Sequence, residues 1–173
     1  MNTRSTLKVP FVGLKEGVHS FEFSIGKEFF DEFDYDELHA ADILVRATLD
    51  RQERMLIWDF DIDGSIRLDC DRCSEELFLP LKGTEHLIIK LGRTHEEESE
   101  NVIIIPETEY EIDLRQHIYD YIRLLMPVKR VHEPGDDGSP GCTAELQEQE
   151  QEQEQETDPR WNALKELKNK LEK

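Results

Sequence analysis

Cysteine is scarce in this chain: three in 173 residues, at positions 70, 73 and 142. So small and odd a number argues against the disulfide framework of a small secreted domain. It leaves metal binding, redox chemistry or plain packing for the thiols. Long apolar runs are lacking too. Nothing approaches the roughly 20 residues that a membrane helix needs. The opening "MNTRSTLKVPFVGLKEG" has no unbroken apolar stretch of the kind a secretory leader carries. The expectation is a soluble, cytoplasmic protein with no membrane association. GxGxxG, GxxxxGK[ST], HExxH and GxSxG are all absent, so none of the chemistries tied to those motifs has support and no small-molecule substrate is indicated.

Positive charge is the other shortage. Lys and Arg number 21 against 40 Asp and Glu, a net charge of −19. Residues 144–157, "AELQEQEQEQEQET", hold six glutamates and no base, and residues 158–173 carry a net +2, which leaves −15 on residues 1–143. The body itself is acidic. Affinity for duplex nucleic acid comes largely from Lys and Arg neutralising phosphates, so unaided duplex binding is disfavoured and a basic partner suits the field better; acidity that serves solubility alone stays open beside it.

What is present divides by period. "VHSFEFSI" (18–25), "DILVRATLD" (42–50), "MLIWDFDIDGSIRLD" (55–69), "ELFLPLKGTEHLIIKLG" (76–92) and "NVIIIP" (101–106) read as strands, several of them alternating. "THEEESE" between the last two reads as an exposed loop. Asp59, Asp61 and Asp63 fall on one wet strand face, and without the loop of a calcium motif they are assigned no cation. Short connections favour antiparallel pairing. Then "IDLRQHIYDYIRLLMP" (112–127) turns helical: Leu114, Ile118, Tyr121, Ile122 and Leu125 share a stripe, Asp113 is the expected N-cap, and Pro127 stops the run. The expected fold is α+β: an antiparallel β-meander covered by one main helix. Three regions are expected, a single domain over 1–143, a low-complexity Gln/Glu linker over 144–157, and a C-terminal amphipathic helix over 158–173. That last helix would begin with Asp158 and Pro159 and carry Trp161, Leu164, Leu167 and Leu171 on one face.

"LDCDRCSEEL" (68–77) contains the chain's one CxxC. A CxxC at a strand turn supplies two thiolates to one ion, and a structural zinc needs four ligands. The loop "HEPGDDGSPGC" (132–142) offers His132 and Cys142, so Cys70, Cys73, His132 and Cys142 are the candidate zinc ligands. A spacing of ten from His132 to Cys142 is longer than in zinc fingers. A redox CxxC is the rival, but the motif does not open a helix in a βαβ unit, and Asp69, Asp71, Glu75 and Glu76 surround it with only Arg72 to favour a thiolate. Plain packing of the cysteines stays open beside both.

The order of these features resembles the YceD family, the large ribosomal RNA subunit accumulation proteins. The carrying residues are Cys70, Arg72 and Cys73 in "CDRC", "EID" at Glu111–Asp113 opening the helix, the "LLMPV" exit, the His132 and Cys142 pair, and "WNALKELK" near the end. The resemblance implies a role in making or accumulating large-subunit ribosomal RNA, without implying a reaction. Where some members carry a second CxxC, this chain has His132 and Cys142. A ribosomal protein or pre-ribosomal ribonucleoprotein is then the expected partner of a noncatalytic factor. Candidate contacts to it, or directly to RNA, are Arg72, Arg115, Arg123, Lys129, Arg130, Trp161, Leu164, Lys165 and Lys168. The alternative from another class is a metal-dependent or thiol enzyme acting on RNA or on a ribosomal protein, for which no positioned general base is visible.

Overall fold

The structure is a computed structural model that describes residues 7–133 and 141–142, Glu98 by its backbone alone. The linker and C-terminal helix expected over 144–157 and 158–173 lie outside the described residues. The chain divides into two compact units. One comprises Met1–Asp69 and Glu76–Arg130, the other Cys70–Glu75 and Val131–Lys173.

In the first unit the elements run β1 (Lys8–Pro10), β2 (Gly17–Gly26), α1 (Lys27–Asp31), β3 (Leu38–Arg51), β4 (Met55–Asp69), β5 (Glu76–Gly92), β6 (Glu96–Ser99), β7 (Val102–Pro106), β8 (Glu111–Asp113) and α2 (Arg115–Leu125). The class is α+β, with a six-stranded sheet in the order β2-β3-β4-β5-β7-β6 and a two-stranded β1-β8 pair.

Alternation in the sequence becomes the two faces of the sheet. Phe23 and Ile25 of β2, Val45, Ala47 and Leu49 of β3, Leu56, Trp58, Phe60 and Ile62 of β4, and Leu87 and Ile89 of β5 are all buried. The register lines them up in rows, with Leu49 opposite Trp58 and Trp58 opposite Leu87. Trp58 lies nearly parallel to Phe60 at 5.9 Å. Each fully buried side chain of this size contributes about 1.5–3 kcal/mol, so the inner rows dominate the unit's stability. Facing the other way are Glu22, Arg46, Asp59, Asp61, Asp63, Arg67 and Lys82, all exposed. They form exposed cross-strand pairs such as Glu22 with Arg46 at 3.7 Å and Lys82 with Asp63 at 3.8 Å.

The structure departs from a pure antiparallel meander at one end. β2 to β5 are antiparallel neighbours in sequence order, but β7 pairs with β5 in parallel and β6 takes the outside. "THEEESE" is therefore not only a loop, since β6 forms within it. The physical reason lies in composition. "VIIIP" gains most from two strand neighbours, while the glutamates of β6 tolerate an edge in water.

The helix also begins later than expected, because Lys8–Pro10 pairs with Glu111–Asp113 and makes "EID" a strand rather than a helix opening. The N-cap is therefore Leu114, without a side-chain cap, and not Asp113; Asp113 ends β8, where its carboxylate accepts a hydrogen bond from the Arg115 N–H at 3.0 Å. Met126 is extended, as a residue before Pro127 must be, and the helix ends there. Ile118, Tyr121 and Ile122 are buried, and Leu125 packs on Gly83 of β5, where any Cβ would lie 2.3 Å from Leu125 Cδ2. The short helix α1 was not expected. It buries Phe30 completely among Phe29, Tyr35 and Tyr119.

Candidate metal centre

The six residues Cys70–Glu75 make a tight turn. The Cys70 N–H donates to the Glu75 carbonyl at 2.9 Å, and the Ser74 N–H donates to the Cys70 carbonyl at 3.0 Å. Ser74 sits at φ 56, a left-handed conformation that closes the turn. Such a turn directs amides inward: the Arg72 N–H reaches Cys70 Sγ at 3.5 Å.

Within the same unit, residues 131–133 and 141–142 supply the other donors. Cys70 Sγ lies 3.7 Å from Cys142 Sγ, Cys73 Sγ lies 3.4 Å from His132 Nδ1, and Cys142 Sγ lies 3.9 Å from His132 Nδ1. All four ligand atoms fall within 4.8 Å of one another. The three cysteines are free thiols, Cys70 and Cys142 buried and Cys73 half-buried. The spacing of ten closes because residue 141 is glycine: a Cβ there would lie 2.1 Å from the His132 carbonyl oxygen and 2.5 Å from Glu133 C. A side chain at 141 would push Cys142 away from His132.

Two tests decide whether these residues suit an ion. Metal–sulfur bonds near 2.3 Å and metal–nitrogen bonds near 2.0 Å imply tetrahedral edges of about 3.8 Å between sulfurs and about 3.5 Å between sulfur and nitrogen. The observed separations of 3.7, 3.4 and 3.9 Å are close to these edges. Charge gives the second test. Burial works against ionising Cys70, yet the amides of Cys73, Arg72 and His132 overcome it and hold this thiol down at about 6. For Cys73 the Glu75 amide favours the thiolate, but desolvation and the thiols of Cys70 and Cys142 outweigh it and hold the group up. A Cys70 thiolate thus suppresses ionisation of Cys73, and a cation between the two sulfurs would relieve that repulsion. The arrangement is compatible with a metal site and, with four protein donors, a closed one.

The amino-acid pattern of residues 58–168 matches the family model described as large ribosomal RNA subunit accumulation protein YceD, over more than half of the chain. The chain belongs to the YceD family. No curated protein and no solved structure matches it. YceD proteins are named for accumulation of the large-subunit ribosomal RNA, not for a reaction, and no helix among the described residues is long and apolar enough to cross a membrane.

The remaining candidate contacts are placed less uniformly in this YceD chain. Arg115 forks onto the Asp113 carboxylate and approaches Glu32 at 3.5 Å. That fork holds the Asp113 carboxyl below its usual range. The Arg123 guanidinium lies 3.9 Å over the Tyr35 ring. Arg130 donates to Glu37 at 2.7 Å, and its hydrogen bond, with that of the Tyr35 hydroxyl, lowers the Glu37 carboxyl. All three guanidinium groups are thus engaged within the fold. Lys129 is exposed, Arg72 belongs to the cysteine turn, and Trp161, Leu164, Lys165 and Lys168 lie outside the described residues. The Tyr35–Glu37–Arg130 set was invisible to periodicity because its members are 93 or more residues apart on the arginine side.

Proposed function

We propose that this protein is a noncatalytic ribosome-assembly factor that supports accumulation of large-subunit ribosomal RNA by binding a basic protein or ribonucleoprotein. In this reading Cys70, Cys73, His132 and Cys142 hold a structural zinc. The observation that carries it is the closed donor set. Three thiols and an imidazole use all four positions of a tetrahedral ion, leaving none for water or substrate, so the metal orders the chain and performs no hydrolysis. Zinc, when bound, supplies the positive charge that keeps three thiolates together. The partner's sign follows from the acidic sheet face, where Glu22, Asp42, Asp59, Asp61, Asp63, Asp69 and Glu76 outnumber Arg46, Arg67 and Lys82.

Metal analysis of protein purified without chelator is expected to find about one zinc per chain. Affinity purification is expected to bring down a large-subunit ribosomal protein or precursor ribosomal RNA, and recovery of neither overturns the reading. The second reading, a thiol or metal-dependent enzyme acting on RNA or a ribosomal protein, draws on the low Cys70 thiol. Cys70 is 2 % exposed, however, and no substrate atom reaches it without opening the cluster. If Cys70→Ser and Cys73→Ser abolish cellular function while zinc content and folding persist, the enzyme reading gains.

A further inference from the structure

Among the described residues the sheet ends in two edge strands of opposite character. β6, "EEES", is four residues long, carries three glutamates and slips register between Glu97 and Ser99. Short, charged and bulged strands are how sheets avoid pairing with other chains. β2, "GVHSFEFSIG", is ten residues long and pairs with β3 without a slip from Gly17 opposite Arg51 to Gly26 opposite Asp42. It contains no proline, and Glu22 is its one Asp, Glu, Lys or Arg.

In an antiparallel pair, alternate residues turn their N–H and C=O groups away from the neighbour. Among the described residues, those of 18–25 have no backbone partner outside the β3 ladder. The edge also has apolar footing. Phe21 is half-buried on the inner face, with Trp58 at 5.6 Å and Phe23 at 6.4 Å. On the outer face Val18, Ser20, Glu22 and Ser24 are exposed; on β3 Asp50 lies opposite Val18, Asp42 opposite Gly26 and Arg46 opposite Glu22 at 3.7 Å, so this face of the pair carries three acids against one base.

We propose that β2 receives an extended segment of the partner as an added strand, and that this segment alternates apolar with Lys or Arg residues. The inference rests on the proposed function, whose basic partner it seats. Main-chain hydrogen bonds along β2 supply affinity. Apolar side chains of the segment extend the row of Phe21 and Phe23, and its cations lie beside Glu22 and within reach of Asp42 and Asp50. A second copy of this chain is the poorer occupant, since each carries −19.

The test uses the full chain and a synthetic ten-residue peptide of alternating Lys and Val, followed by amide exchange. The outward amides of β2 are expected to exchange fast in the free chain and about tenfold slower when the peptide is saturating, with a Glu-Val peptide inert. Ser20→Lys with Ser24→Lys, both exposed positions, is expected to weaken the peptide about tenfold and leave the melting temperature unchanged. Unchanged exchange at β2, or equal binding by the double variant, overturns the inference. So does protection of β2 in the free chain, whether lost on dilution, which marks a second copy, or independent of it, which marks a segment of the chain itself. If purification with the wild-type chain recovers large-subunit ribosomal protein and the double variant recovers as much, the inference fails and the proposed function stands. If the wild type recovers neither that protein nor precursor ribosomal RNA, the proposed function fails whatever the peptide does.

Discussion

In the sheet unit Trp58, Ile62, Leu87 and Ile118 are wholly buried, Phe60 is 1 % exposed, and rows of such residues cross β2 to β5. In the unit of Cys70–Glu75 and the chain from Val131, the buried side chains among the described residues are those of Cys70 and Cys142, both candidate ligands. The first has a core from apolar burial; the second, as described, has donor atoms where a core would be. Where the described buried side chains are donors rather than hydrocarbon, a metal is the staple that they could take. If Cys70, Cys73, His132 and Cys142 hold a metal as proposed, the two units would respond to different insults.

The largest effect expected is from chelation. Structural zinc sites hold their ion with apparent free energies of about 10–16 kcal/mol. Stripping the ion should remove amide protection at His132 and Cys142 while β3 and β4 keep theirs, as read by exchange before and after chelator. Loss of protection in both units together would break the comparison. Next, Trp58→Ala should cost about 3–5 kcal/mol in denaturant unfolding of the sheet, with zinc content unaltered.

Two glycines sharpen the contrast. Gly141→Ala should lower zinc affinity about tenfold or more by displacing Cys142 from His132, without moving the sheet's unfolding midpoint. Gly83→Ala should do the reverse, costing about 1–3 kcal/mol by pushing Leu125 off β5. Competition with a chromogenic chelator and denaturant melts read the two quantities separately.

Smaller still is the effect of one buried hydroxyl. Tyr121 Oη is buried without a hydrogen-bond partner among the described residues, and burial, helped by Glu85, pushes its pKa up to about 12. A raised folded pKa means that the phenol's contribution is complete below the unfolded value near 10 and is lost as pH rises through about 12. Removing the unpartnered hydroxyl by Tyr121→Phe should stabilise the sheet by about 1 kcal/mol at neutral pH, and loss of the raised phenol pKa should flatten its alkaline limb. The smallest change is at Glu37, whose lowered carboxyl contributes above its unfolded pKa and loses that contribution as pH falls through the folded one. Glu37→Gln should cost about 0.5 kcal/mol at pH 7 and converge with the parent chain in acid. A gap that persists at low pH would show that the Arg130 pair is not its source.

Much of this could be read along the chain. Runs rich in Val, Ile and Phe specify strands locally, so β2, β3, β4, β5 and β7 form within or around the expected runs; of the expected helical stripe, Leu114 at the N-cap and Ile118, Tyr121 and Ile122 of α2 are buried, and Leu125 is half-buried. The candidate ligands were legible as residue types, since three cysteines in a chain poor in them stand out. Pairing partners were not legible. That β7 enters beside β5 and sends the glutamates of β6 to the edge depends on competition between strands distant in sequence.

Local chemistry is thus written along the chain: strand and helix periods, the acidic field, and which side chains could bind a metal. Tertiary structure alone decided proximity. It joined Lys8–Pro10 to Glu111–Asp113 and turned a helix opening into a strand. Through Gly141 it brought Cys142 to His132, and among the described residues it left β2 without a second strand neighbour and set the charged β6 at the other edge. The physical reason is that side-chain period is set within a few residues of backbone geometry, whereas contact between distant segments is set by which pairing buries the most apolar surface and leaves the fewest charges dry.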